Sequence, residues 1–248
     1  MSLTAKLMLS PVLVAQAIAT RARLPRLPEP EGERHGVAGR GTPLRLLIAG
    51  DSSAAGVGVG HQQDALAQRL AKALADAAGA RVQWQLRARA GLTTAQTLAL
   101  LVDEGHRPAD VAVVVTGVND VIDQIPSRRA VAAREALANW LRNGHGVQHV
   151  VFAPLPPIHH FPGLPQPLRW VAGSDARRHN RALHAWTATR QDISSVDMEM
   201  PLNRGVMASD GFHPGEPVYR YCANAIAQHI ATQVWPRLHL HLHHPPSP

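Results

Sequence analysis

The chain has 248 residues, 45% of them apolar, with 19 glycines and 20 prolines; this suits one large domain or two small ones, and excludes a disordered or collagen-like chain. A single cysteine, Cys222, excludes an internal disulfide framework and a cysteine-based zinc site, and no apolar run reaches the roughly 18 residues that span a bilayer. Lys and Arg total 25 against 18 Asp and Glu, a formal net charge of +7, but the arginines are dispersed and aromatics are only 4% of the chain, so a nucleic-acid-binding surface is not expected.

Residues 1–42 stand apart from the rest. Lys6 precedes an apolar stretch, Leu7 to Ala19, broken by Pro11 and followed by Arg21, Arg23 and Arg26. Ala17-Ile18-Ala19 resembles a secretory cleavage site, but positive residues just beyond the apolar run oppose export. The expectation is a short helix that either packs on the domain or makes peripheral membrane contact, in a protein of the cytoplasm. A proline-glycine segment from Leu24 to Gly41 reads as a linker, and the domain itself is expected over 43–237.

From residue 43 strands and helices alternate. Leu44 to Ile48 is a short apolar run ending at Gly50, which suits a strand covered on both faces. Leu66, Leu70 and Leu74 recur at helical spacing, and Gly79 stops that helix. Val82 to Leu86 is a second strand. Thr93 or Thr94 caps a helix carrying Leu98, Leu101 and Val102, ending near Gly105. Val111 to Val115, four valines in five residues, is the third strand. Val131, Leu137, Trp140 and Leu141 mark the next helix, with Gly144 as its stop. Val147 to Phe152 and Ile193 to Val196 are strands four and five. Between them lie a proline-rich loop, Pro154 to Gly173, and a helix from about Ser174 to Thr187. The last helix starts at Pro217, and the tail 238–248, with His239, His241, His243 and His244, is expected to be disordered rather than metal-binding.

Such alternation predicts a three-layer α/β/α sandwich, an open, doubly wound, flavodoxin-like parallel sheet of about five strands. Ligands bind such sheets at the carboxyl ends of the strands. Four segments stand there: Gly50-Asp51-Ser52-Ser53, Ala90-Gly91-Leu92-Thr93, Gly117-Val118-Asn119-Asp120, and Asp210-Gly211-Phe212-His213-Pro214 before the last helix. Ser52 needs a base to attack an acyl carbonyl, and His213 can serve; Asp210, three residues earlier, can fix the imidazole tautomer or simply cap the last helix. Ser52 N–H, Gly91 N–H and the Asn119 amide can supply oxyanion donors, although each glycine also suits an ordinary turn and Asn119 a loop brace.

These four segments resemble the SGNH (GDSL-type) hydrolase family, in the family's order, across roughly residues 43 to 235. The resemblance implies a serine esterase that hydrolyses carboxylic esters through an acyl-enzyme, with catalytic Ser52, Asp210 and His213 and an oxyanion hole of Ser52, Gly91 and Asn119. It implies no metal and no organic cofactor. Ser53 departs from the family, which has leucine there. Short acyl esters are the expected substrates; lysophospholipids, thioesters and acetylated sugars are also compatible with the resemblance, as is a non-catalytic ligand-binding member of the fold. Ile158, His159, His160, Phe161, Leu164 and Leu168 in the loop after strand four are expected either to wall the substrate pocket or to pack on the N-terminal segment. A rival reading takes Gly56-Val57-Gly58-Val59-Gly60 as a dinucleotide cradle, but these glycines come late and lack the Gly-x-Gly-x-x-Gly spacing.

Overall fold

The computed structural model describes residues 3–200 and 202–238, without the side chains of residues 3–8. Helix α1 (Leu3–Arg23) leads to strands β1 (His35–Ala38) and β2 (Thr42–Gly50), the one-turn helix α2 (Ser52–Ala55), α3 (Leu66–Ala78) and β3 (Ala80–Ala88). Then come α4 (Thr94–Glu104), β4 (Val111–Val115), the short α5 (Val118–Ile122), α6 (Ser127–His145) and β5 (His149–Phe152). Last are α7 (Leu168–Thr187), β6 (Ile193–Ser195) and α8 (Glu216–His229), which runs on through a π-helical turn, Ile230–Val234.

The sheet has six strands in the order β1-β3-β2-β4-β5-β6. Five are parallel in the doubly wound order expected; the sixth, β1, pairs antiparallel with β3, His35 opposite Gln85. The proline-glycine linker is thus in part a sheet strand. A four-residue edge strand, half-exposed and containing Gly36, has no periodicity for a sequence reading to detect. Two helix limits also differ. Gly146, in the left-handed conformation at φ +69°, ends α6, while Gly144 lies inside the helix. Helix α7 starts at Leu168 instead of Ser174, because Pro165 and Pro167 fall ahead of its first turn, where a missing N–H costs nothing.

The central strands are buried on both faces, as Leu44, Leu46, Leu47 and Ile48 all show no exposure. One face packs on Leu66, Leu70 and Leu74 of α3 and Ile226 and Ile230 of the last helix. The other packs on Leu101 of α4, Leu137 and Leu141 of α6 and Leu183 of α7. These two layers hold β2 at the centre, where the connections reverse direction, so a crevice opens at its carboxyl end. The histidine-rich tail lies outside the described residues from 239 onward.

Candidate active site

Ser52 follows β2 directly. The turn depends on Gly50, at φ +155°, whose Cβ would lie 2.0 Å from the Val115 carbonyl oxygen of the neighbouring strand. Asp51 then caps α2, accepting the Ser53 N–H at 2.9 Å, and sets Ser52 at the first helical position. Its N–H has no residue four back to bond within the helix and is left for a ligand.

The structure brings Ser52 together with His213 and Asp210. The Ser52 hydroxyl lies 3.1 Å from His213 Nε2, and His213 Nδ1 lies 2.6 Å from Asp210 Oδ2. Asp210 Oδ1 also accepts the Phe212 and His213 N–H groups, both at 2.9 Å. Asp210 therefore shapes the turn carrying the histidine, and the cap of α8 is Gly215 instead. Burial pushes the Asp210 carboxyl up, but the hydrogen bonds from His213 and the two amides outweigh it and hold its pKa below the ordinary value. An ionised Asp210 only accepts, so the hydrogen sits on Nδ1 and Nε2 is free to accept from Ser52.

The glycine run after α2 has a structural use. Gly58, at φ +112°, has the Pro214 carbonyl oxygen 2.2 Å from where a Cβ would stand. Val57 O accepts the buried Tyr219 hydroxyl at 2.6 Å. The run thus lets the His213 loop close on the nucleophile turn.

Gly91, exposed and at φ +85°, sits in the turn after β3, and among the described residues its N–H has no acceptor. The Asn119 Nδ2 donates to Leu92 O at 3.0 Å, which fixes the amide and leaves its second N–H. Asp120 joins the same two loops more tightly. It accepts the Thr94 N–H at 2.9 Å and the Thr94 hydroxyl at 2.6 Å, with the Thr116 hydroxyl 3.0 Å from that of Thr94. Behind it, Arg134 Nη2 is 3.8 Å from Asp120, both side chains 1% exposed. Asp51, fully enclosed nearby, has its carboxyl pushed up to about 7 by burial, with the Asp120 charge adding to that. The sequence alone does not show this cluster, Arg134 included, because its members come from four separate segments. Nor does it show the role of Glu29, which accepts the Ala90 N–H at 2.7 Å and pairs with Arg34 at 2.8 Å, bracing the Gly91 turn from the segment read as linker.

A crevice of about 760 Å³, open mouth included, runs from Ser52 and His213 into the domain. Phe161, Met198, Met200, Leu202, Met207 and Phe212 wall it, and Tyr219, Cys222 and Ile226 form part of its lining on α8. Burial pushes the Cys222 thiol up to about 12, so it stays neutral. Of the expected pocket residues only Phe161 lines the crevice. Ile158 and Leu164 pack behind it with Val121, Leu155 and Ala176, because a short loop must bury its own apolar side chains. His159 stacks on His160 and bonds Arg177 at 3.2 Å, away from the crevice. Much of the wall comes instead from Met198, Met200, Leu202 and Met207, the first three at alternate positions in the sequence.

The doubly wound sheet and the four segments at its strand ends define a GDSL-type hydrolase. The family described as GDSL-like Lipase/Acylhydrolase matches residues 48–221; the chain belongs to it and is a carboxylic ester hydrolase. A GDSL-like esterase, Rv1075c, of Mycobacterium tuberculosis is 27% identical over 266 residues, covering 95% of this chain and 81% of its own. The lipase Lip_vut3 from a goat rumen metagenome shares the fold with TM-score 0.62 and 20% identity, over 77% of this chain and 98% of its own. The carbohydrate acetylesterase Est24 of Sinorhizobium meliloti does so with TM-score 0.55 and 16% identity, over 76% and 98%.

Proposed function

We propose that this hydrolase cleaves esters of short acyl chains through a covalent acyl-enzyme formed on Ser52. The observation that carries the reading is the unbroken chain from the Ser52 hydroxyl through His213 to the ionised Asp210. His213 Nε2 takes the hydroxyl proton as Ser52 Oγ bonds to the acyl carbon, and Asp210 steadies the imidazolium. On this reading the Ser52 N–H, the Gly91 N–H and the second N–H of Asn119 hold the tetrahedral oxyanion, the kind of fixed donors that developing charge requires. Collapse expels the alcohol, which takes the proton from His213. Water then attacks the acyl carbon with His213 again as base, and Ser52 is restored.

The crevice supports the acyl assignment. Its walls are methionine, leucine and phenylalanine, which favour an aliphatic chain, and its lining on α8 is packed by buried Tyr219 and Ile226 with half-buried Cys222, which limits its depth. The test is the activity of purified protein on p-nitrophenyl esters of increasing chain length, with a lysophospholipid and an acyl-CoA alongside. Acetyl or butyryl esters are expected to give the highest kcat/KM. A higher value for palmitoyl esters, or for the lysophospholipid, would replace the short-chain reading.

A further inference from the structure

Helix α1 rests on the domain by a narrow face of mixed polarity. Leu9, Leu13, Gln16 and Thr20, spaced 4, 3 and 4 apart, form the docked face, and the rest of the described helix is exposed. The contact is made by hydrogen bonds: Gln16 Nε2 donates to Gln166 O at 2.6 Å and Gln16 Oε1 accepts the Leu168 N–H at 3.1 Å. Directly opposite lie Pro11, Val14, Ala15, Ile18 and Ala22, with Val14 57% and Ile18 67% exposed. A helix that lies on a globular domain in water turns its apolar stripe inward. This one turns it out.

The surroundings say what covers that stripe. No Asp or Glu precedes Glu29, whereas Lys6, Arg21, Arg23 and Arg26 fall in or just after the helix. Arg21, Arg23 and Arg26 are exposed and make no ion pair among the described residues. Trp170, 45% exposed, stands two residues beyond the Leu168 amide that α1 bonds. An exposed apolar stripe bordered by Arg21, with a half-exposed tryptophan on the neighbouring α7, matches the headgroup region of a bilayer. Arg21, three residues after Ile18, borders that stripe, and Arg23 and Arg26 add positive charge at and just after the end of the helix, a charge that an anionic surface complements. No helix among the described residues is long and apolar enough to cross a membrane, so the helix would lie on the surface. We propose that the outward face of α1 is a docking surface for anionic lipid membranes. It sits beside the loop that carries Phe161 to the crevice, so docking holds the active site next to the bilayer.

The test is co-sedimentation of the full chain with phosphatidylcholine vesicles, with and without phosphatidylglycerol. Wild type is expected to sediment with the anionic vesicles and to stay in solution with the neutral ones. The V14D/I18D double variant is expected to bind anionic vesicles more than tenfold more weakly, and R21E/R23E also more than tenfold, since each basic residue near such a surface contributes roughly fivefold. Both variants keep wild-type kcat on a water-soluble ester, because none of these side chains touches the crevice. Failure of wild type to sediment with anionic vesicles, or equal sedimentation of the double variant, would overturn the proposal. So would a wild-type dimer in solution that V14D/I18D converts to a monomer, which would make the face a subunit interface.

Discussion

Under the proposed mechanism Asn119 and Asp120 are neighbours with opposite duties, and replacing each by alanine separates charge stabilisation from folding. The Asn119 side chain is half-buried and makes one protein hydrogen bond, to Leu92 O at 3.0 Å. Its loss costs about 1 kcal/mol of stability, within reach of a small change in melting temperature. Its effect on catalysis is larger, because the amide meets full negative charge only in the tetrahedral state. Asn119→Ala is expected to lower kcat by about 10²–10³, equivalent to about 2.7–4 kcal/mol, with little change in KM. Asp120 is different. It takes two hydrogen bonds from Thr94 and faces Arg134 at 3.8 Å in a site closed to water. Burial already pushes the Arg134 guanidinium below its ordinary pKa, opposed by Asp120 and Asp51. Asp120→Ala strands that cation, at about 3–5 kcal/mol of stability. At about 2–4 °C per kcal/mol for a domain of this size, the melting temperature falls by roughly 6–20 °C. Steady-state kinetics on p-nitrophenyl acetate, run well below both melting points, and thermal melts give the comparison. If Asn119→Ala kept full kcat while Asp120→Ala lost it with an unchanged melt, the oxyanion role of Asn119 would be wrong.

Other expected outcomes rest on separate features. His149, on β5 and hydrogen-bonded to Ser194 at 2.9 Å, is pushed down from 6.5 to about 4 by burial, with the His229 charge adding to that. Between those pH values the unfolded chain takes up a proton that the folded chain refuses, so stability falls by about 3 kcal/mol as the pH drops; thermal melts of His149→Gln should show a flatter acid limb, and an unchanged slope would refute it. Cys222→Leu narrows the crevice, so kcat/KM for a hexanoyl ester should fall at least tenfold relative to acetyl, roughly the worth of a methylene or two in an apolar pocket; equal losses on both esters would mean that the acyl chain does not reach Cys222. Chelators should leave esterase activity unchanged, and loss with EDTA that zinc restores would move the chemistry to a metal.

The sheet was legible because its strands are buried on both faces: Val111 to Val115 admits no other reading, and Gly79 and Thr93 punctuate the helices as their chemistry requires. Strand β1 was not, since an edge strand owes its pairing to β3 rather than to its own four residues. The four strand-end segments are visible and offer His213 as a base for Ser52, but the contact between these side chains, 161 residues apart, is not derivable from spacing. Polar residues whose partners are distant in the chain were the hardest to assign. The Asp120 carboxylate finds its partners outside its own segment, and only the fold shows that it joins α5 to the start of α4 against a buried arginine. The apolar residues of the loop after β5 suggest a pocket wall, yet apart from Phe161 they pack on one another. The alternate positions of Met198, Met200 and Leu202 were the better signal, because all three line the crevice.

The most direct measurement is labelling of the purified protein with a serine-reactive phosphonate, followed by mass mapping of the modified peptide. The account predicts a single adduct on Ser52, abolished in His213→Gln and retained in Ser53→Ala, which keeps most of the esterase activity. An adduct on Ser53 that spares Ser52, or undiminished labelling of Ser52 without His213, would contradict it.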